Sequence, residues 1–356
     1  MREFRYRRRR AVAGGITLAG VLLAAAFHAT HGPPETVTLV RGYYEAIRKH
    51  DVRKALKIAK AEPPAGEAAR FLAPRALDHW RIGAVTETDG FEYSGDDDAE
   101  VTVVLIGEHR KRYEGTVKLV KGRGGVRIAE PLMSLRFQAT AMDYVEAGGM
   151  RAPYQGDPRT ESLSVEYRVL PGLYRFYQGR QDLLRVAAGQ TPVLPGANGS
   201  SPGWVGVVPE FTVTPAGQRA VSQAYDAVID RCAETRGVPR AECPFGLTPY
   251  GDIKSRDESV SDFGKLTWRV RTYPTITAVV QRGGLWIVDR ERGVVELSGS
   301  GRIDGSGPRR PFTLTCGTVA RRTFASVASG GTVSITGPVK GGEPWDTCRD
   351  GALSAS

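Results

Sequence analysis

Histidine is scarce in this chain: His28, His31, His50, His79 and His109 are the full set, and none follows position 109. Serine and cysteine nucleophiles need an imidazole within hydrogen-bond reach, so histidine-assisted nucleophilic catalysis has no base in the downstream sequence. Gly199-Ser200-Ser201-Pro202-Gly203 fits G-x-S-x-G, but it lies in the linker-like stretch LPGANGSSPG, with Pro after the serine and no later His. A nucleophile elbow needs a strand before it and a helix after it. The S-x-x-K, S-D-N and K-T-G motifs of penicillin-binding proteins are absent as well. Cysteine is almost as rare, with four residues, Cys232, Cys243, Cys316 and Cys348, and no close CxxC pair that would suggest zinc. Long apolar runs are missing beyond the first 30 residues, which excludes a multi-span membrane protein.

With 356 residues, 41% hydrophobic and 25% charged, the chain has room for two or three domains and is not disordered throughout. Lys and Arg number 49 against 39 Asp and Glu. Of the net +10, half lies in the first ten residues, which hold six Arg against one Glu. The remaining 346 residues carry only +5, too little for the basic stripe of a nucleic-acid binder, so no nucleic-acid partner is expected.

Residues 1–10 read as a basic cytoplasmic tail and 11–30 as a transmembrane helix. Ala11 to Phe27 carries no charge, and at ~1.5 Å per residue the stretch to Thr30 covers ~30 Å, enough for a bilayer core. Arginines on the first flank and none on HGPPETVT place the N-terminus in the cytoplasm. A cleaved signal peptide is the competing reading, against which Phe27, His28 and His31 make a poor cleavage region. The expectation is a single-pass cell-membrane protein with its C-terminal domains extracytoplasmic. In that oxidising compartment four cysteines imply two disulfides, with three connectivities open and the local pairs Cys232–Cys243 and Cys316–Cys348 favoured.

The exported part reads as α+β. Val37, Val40, Tyr43, Tyr44 and Ile47 recur at helical spacing from Glu35 to His50. Asp51 is a plausible cap for a second helix carrying Val52, Leu56 and Ile58, and a third short helix is expected over 66–79. Strands follow at 81–87, 100–106, 113–121 and 126–128, separated by Gly-containing turns. The phrase GYYEAIRKHDVRKALKIA resembles the opening of NTF2-like domains, in which a helical layer and a bent sheet form a cone around a pocket. The resemblance covers about 34–135. It implies a ligand pocket lined by Tyr43, Tyr44, Trp80 and Tyr113, against the alternative that these aromatics simply fill the core. Anchored NTF2-like domains occur in accessory proteins of transport and conjugation systems and in teicoplanin-resistance-associated membrane proteins. The latter often begin with a zinc ribbon, which this chain lacks.

Residues 136–209 read as a small β-rich module with strands at 136–145, 163–170 and 173–177, where LPGLY resembles a turn-and-strand phrase of carbohydrate-side or Ig-like modules. Residues 210–356 read as a disulfide-stapled α+β domain with an antiparallel sheet. Thr214-Pro215 starts its helix, Val221, Tyr225, Val228, Ile229 and Cys232 form its apolar face, and strands recur from 266 to 336. Helix, Cys-Pro-Phe and meander together are similar to C-terminal modules of actinobacterial membrane proteins of unknown function.

No cofactor or metal is expected. Asp96, Asp97, Asp98 and Glu100 offer oxygen donors, but lack the alternate spacing and Gly of a calcium loop. Glu161, Glu166, Asp182 and Asp252 have no context that singles them out. His109, Arg110, Lys111 and Arg112 sit together at an expected hairpin tip, where they would meet anionic headgroups or wall polymers, or simply water. The functional expectation is a non-catalytic envelope protein, a binding, sensing or scaffold subunit partnered by the cytoplasmic membrane and by an envelope protein or wall polymer. A structural subunit of a secretion or conjugation channel is the alternative, and an envelope hydrolase a more distant one.

Overall fold

The computed structural model describes residues 33–90, 98–137, 140–154, 166–178, 182–187, 189–196, 203–238, 243–247, 251–320, 323–337, 347–349 and 351–355. Helices α1 (Glu35–Arg48) and α2 (Val52–Ala59) come first. α1 buries Val37, Val40, Tyr43, Tyr44 and Ile47 along one stripe. The Asp51 side chain accepts from the Lys54 N–H at 3.0 Å to start α2, and Lys60, in the left-handed conformation (φ 52), ends it. The expected third helix is instead two 3₁₀ turns, Gly66–Ala69 and Pro74–Ala76. Pro63, Pro64 and Pro74 each lack an amide donor, and a residue before proline avoids helical geometry, so no continuous α-helix forms there.

β1 (Arg81–Asp89), β2 (Asp98–Ile106), β3 (Arg112–Gly122) and β4 (Gly125–Ile128) form an antiparallel meander in chain order. Val101, Val103 and Leu105 are fully buried at the period of two that points alternate side chains into the core. α1 packs against β1, β2 and β4, and α2 packs on α1.

The next segment is woven from short strands. β5 (Met133–Phe137) pairs antiparallel with β8 (Tyr167–Val169) and parallel with β12 (Trp204–Val207), far along the chain. β6 (Tyr144–Ala147) and β7 (Met150–Pro153) form a hairpin, β9 (Gly172–Tyr174) pairs with β11 (Thr191–Val193), and β10 (Leu184–Val186) pairs with β13 (Phe211–Val213). The expected strand 136–145 is therefore two strands in different sheets.

α3 (Pro215–Ala233) is capped by Thr214, whose Oγ1 accepts from the Gly217 N–H at 3.0 Å. Val221, Tyr225, Ile229 and Cys232 form its buried face. Two antiparallel sheets follow. One runs β14 (Ile253–Lys254), β15 (Ser259–Ser261), β19 (Val294–Ile303), β20 (Arg310–Gly317), β23 (Leu353–Ala355), with β16 (Thr267–Thr272) also on β19. The other runs β17 (Thr275–Gln281), β18 (Gly284–Glu291), β21 (Phe324–Val327), β22 (Val333–Thr336). The disulfides are Cys232–Cys243 and Cys316–Cys348, the two local pairs.

Two expectations are corrected. The chain is mostly β rather than α+β: three α-helices stand against 23 strands among the described residues. Helical periodicity holds only at 35–60 and 215–233, and elsewhere short β-branched runs between Gly and Pro turns fold as strands. No helix among the described residues is long and apolar enough to cross a membrane, so a single-pass membrane protein is not supported. The expected span, residues 11–30, lies outside the described residues. The disulfides fit an oxidising, extracytoplasmic location. One continuous apolar core runs from Val37 to Cys348, and the bridges Leu77↔Tyr174 and Met142↔Val327 join the segments 34–135, 136–209 and 210–356.

Candidate functional site

Three of the four expected pocket aromatics meet in the interior. Tyr43 and Tyr44 project inward from α1 with rings edge to face at 5.5 Å, and Tyr44 meets Trp80 at 6.2 Å. The Tyr43 hydroxyl donates to the Pro131 carbonyl. The Tyr44 hydroxyl is buried with no hydrogen-bond partner among the described residues. Burial pushes both phenols well above the ordinary tyrosine range, so both stay neutral at physiological pH. These three rings pack as core against neighbours such as Gly172, where an added Cβ would lie 3.3 Å from the Trp80 indole nitrogen.

Tyr113 stands apart, half-buried at the start of β3, beside the tip of the β2–β3 hairpin. That tip is a strained turn. His109 (φ 51) and Arg110 (φ 58) are consecutive non-glycine residues in the left-handed region, a conformation that costs about 1–2 kcal/mol per residue. Gly107 N–H donates to the Lys111 carbonyl at 2.9 Å, and Lys111 N–H donates to the Glu108 carbonyl at 2.9 Å.

A polar brace holds the tip from behind. Gln190 accepts from the Glu108 N–H at 2.7 Å, and its amide donates to Asp78 Oδ2 and to the His79 carbonyl, both at 2.9 Å. Arg175 bridges Asp78 and Glu108. Burial alone would raise the Asp78 carboxyl, but hydrogen bonds from Arg175 and Gln190 outweigh it and hold the group below the usual carboxylate range. Glu108 and Asp78 together push the Arg175 guanidinium up. Gly107 is required here, because an added Cβ would fall 2.1 Å from Gln190 Oε1 and 2.8 Å from the Leu173 side chain.

In front of the brace, a surface groove of about 470 Å³ runs between β3 and the 192–196 segment. Lys111, Arg112, Tyr113, Glu114, Thr116 and Pro192 line it. The Lys111 ammonium lies 5.2 Å above the Tyr113 ring, and the Tyr113 hydroxyl donates to the Gln190 carbonyl at 3.3 Å. The floor is fixed by a Thr116 N–H bond to the Pro195 carbonyl at 2.8 Å. Cations, one aromatic face, a carboxylate and a hydroxyl give a groove suited to holding a polar, extended ligand.

A scan of protein-family models, a search of curated proteins and a search of solved structures each find no match. The resemblance of 34–135 to NTF2-like domains therefore rests on its sequence phrase alone.

The other expected residues fall elsewhere. Asp98 and Glu100 begin β2, where Glu100 lies 3.7 Å from Lys118, and Asp96 and Asp97 lie outside the described residues. Ser200 and Ser201 also lie outside them. Among the described residues no group of three or more His, Cys, Asp or Glu is placed to hold a metal ion. Glu166 accepts from Ser134 and from Arg136 at 2.8 Å, and these bonds hold its carboxyl below the usual range. Sequence reasoning singled out the 109–112 cluster as a hairpin tip and assigned Tyr113 to the interior pocket with Tyr43, Tyr44 and Trp80, but missed Asp78, Arg175 and Gln190. They sit far apart along the chain, and no local pattern marks them as partners.

Proposed function

We propose that this chain is a non-catalytic binding or scaffold subunit of an extracytoplasmic compartment, and that it engages an envelope protein or wall polymer through the β2–β3 tip and the groove beside it. The observation that carries the reading is the pair of left-handed, non-glycine residues His109 and Arg110, next to Glu108, which Gln190 and Arg175 hold. A turn needed for shape alone is served by Asn-Gly without that cost. Strain kept at a braced, cationic tip beside a groove supports a contact surface there.

The test captures envelope fragments on the immobilised full chain and compares it with the Lys111→Glu, Arg112→Glu double variant. Capture should fall about tenfold, the loss of ~1.4 kcal/mol expected when two favourable charges reverse. Unchanged capture by a folded variant sinks the reading. Recovery of a fixed-ratio set of membrane subunits, after crosslinking intact cells, replaces it with the channel-subunit alternative.

A further inference from the structure

A second cationic face lies at the other end of the same sheet, where α2 meets the β3–β4 turn. Arg53 and Lys57 stand at i and i+4 on one side of α2, with Lys54 beside them and Lys60 at the C-cap, and all four are exposed. The Lys60 ammonium donates to the Gly124 carbonyl at 2.7 Å, which ties this stripe to the turn that carries Lys121 and Arg123, both exposed. Lys121 pairs with Val126 in the β3–β4 register, and Val126 packs on the core, so Lys121 extends from the helix-covered side of the sheet. Arg127, paired with Val120, belongs to the opposite side.

Ordinary helix electrostatics accounts for only part of this stripe. Lys57 and Lys60 complement the carbonyl end of α2, but Arg53 and Lys54 occupy its first turn, where anions are favoured and where the acidic residue is the Asp51 cap. Arg53 and Lys57 are also like charges at i, i+4, which weakens a helix. None of the six cations has an ion-pair partner among the described residues, whereas Lys118, also on β3, pairs with Glu100. Six exposed cations on α2 and the adjoining β3–β4 turn, with the Asp51 cap as the acidic group at the helix start, are complementary to a ligand with closely spaced negative charges.

We propose that this face binds a soluble, extended polyanion, a phosphate-bearing polymer of the envelope, at a site separate from the β2–β3 groove. The two sites lie towards opposite ends of β3, where Arg112 and Lys121 stand about 30 Å apart along the strand at ~3.3 Å per residue. A bilayer surface fits less well, because insertion needs apolar or aromatic wedges beside the cations. The exposed large hydrophobic residues among the described ones are Val208, Val238, Tyr273 and Val288, none of them on α2 or the β3–β4 turn.

The experiment titrates the full chain with long-chain linear polyphosphate at several salt concentrations. Wild type should bind, with log affinity falling against log salt at a slope of about −2 to −3, from three or four contacts at ~0.7 each. Lys57→Glu with Lys121→Glu should lose tenfold or more in affinity. Lys57→Gln with Lys121→Gln provides the same comparison if the charge reversal unfolds the chain. Arg127→Glu and the Lys111→Glu, Arg112→Glu variant should each stay within twofold of wild type. The proposal is overturned if wild type binds without salt dependence or not at all, if the groove variant loses as much as the α2 variant, or if phosphatidylglycerol vesicles bind more tightly than polyphosphate. Because the groove and the α2 face are changed separately, failure of one site leaves the other standing.

Discussion

The two ends of the molecule are held together by different means. From α1 to β4 the chain has no cysteine, and long strands of nine to eleven residues are covered by helices whose aromatic side chains fill the space between. From α3 to β23 the chain is fastened by two disulfides, one at the end of α3 and one joining β20 to the segment before β23. Buried polar groups differ in the same way. Of the four buried side-chain atoms without a partner among the described residues, Tyr225 Oη, Asp289 Oδ1 and Thr323 Oγ1 lie in the second region, and only Tyr44 Oη lies in the first. The crosslinks and most of the orphaned groups among the described residues therefore fall in the same region.

The strongest way to break that comparison is to remove the crosslink. Cys316→Ala with Cys348→Ala opens a loop of sequence separation 32, and the chain-entropy argument puts the loss at about 3–4 kcal/mol. Hydrogen exchange should show protection falling across β19 and β20 while β2 and β3 keep theirs. Equal loss in both regions would mean that they unfold as one unit.

A finer comparison uses adjacent tyrosines. Tyr43→Phe removes a donor from the Pro131 carbonyl and should cost about 1–2 kcal/mol, while Tyr44→Phe removes a hydroxyl with no partner and should be neutral or stabilising. Denaturant midpoints of the two variants read the difference. Matching losses would show that the Tyr44 hydroxyl has a role in the fold.

The smallest effects concern two aspartates with opposite pH dependence. Asp78 is held below its ordinary range by Arg175 and Gln190 despite burial, so its contribution is present above the unfolded value of 3.8 and is lost as pH falls through the lowered folded value. Asp289 is raised by burial, against a bond from the Ala320 N–H at 2.7 Å. Its neutral form is favoured, so stability is full below 3.8 and is lost as pH rises through the raised folded value. Asp78→Asn should therefore lower the thermal midpoint at pH 7, and Asp289→Asn should raise it. Both differences should shrink in acid, and a shift of the same sign in the two variants at pH 7 would refute the assignment.

Local signals in the sequence were enough for α1, α2, the β1–β4 meander and α3, because each is specified by periodicity, a cap or a turn within about ten residues. Tyr43 and Tyr44 were legible as inward-facing for the same reason. The cysteine pairs were legible because short separations favour loop closure. The overall class was not, since the strands between 133 and 213 are three to five residues long and find partners that no period reveals. The brace at the hairpin tip was hidden too: Gln190 meets Asp78 across 112 residues, a juxtaposition created only by the packing of β9 and β11. The membrane hydropathy signal concerned only residues 11–30, which lie outside the described residues.

The parallel pairing of β5 with β12 sets an order of events. Met133–Phe137 cannot complete its sheet until Trp204–Val207 has been made, so a chain emerging from its N-terminus can close the β1–β4 meander early and must carry an open β5 edge meanwhile. Ordering so distant a pair makes this step slow relative to the hairpins around it. An unpaired edge is also where another chain can add a strand. The interval between synthesis of β5 and arrival of β12 is therefore the period in which this protein is most exposed to misassembly, and the stage at which a chaperone would have most to protect.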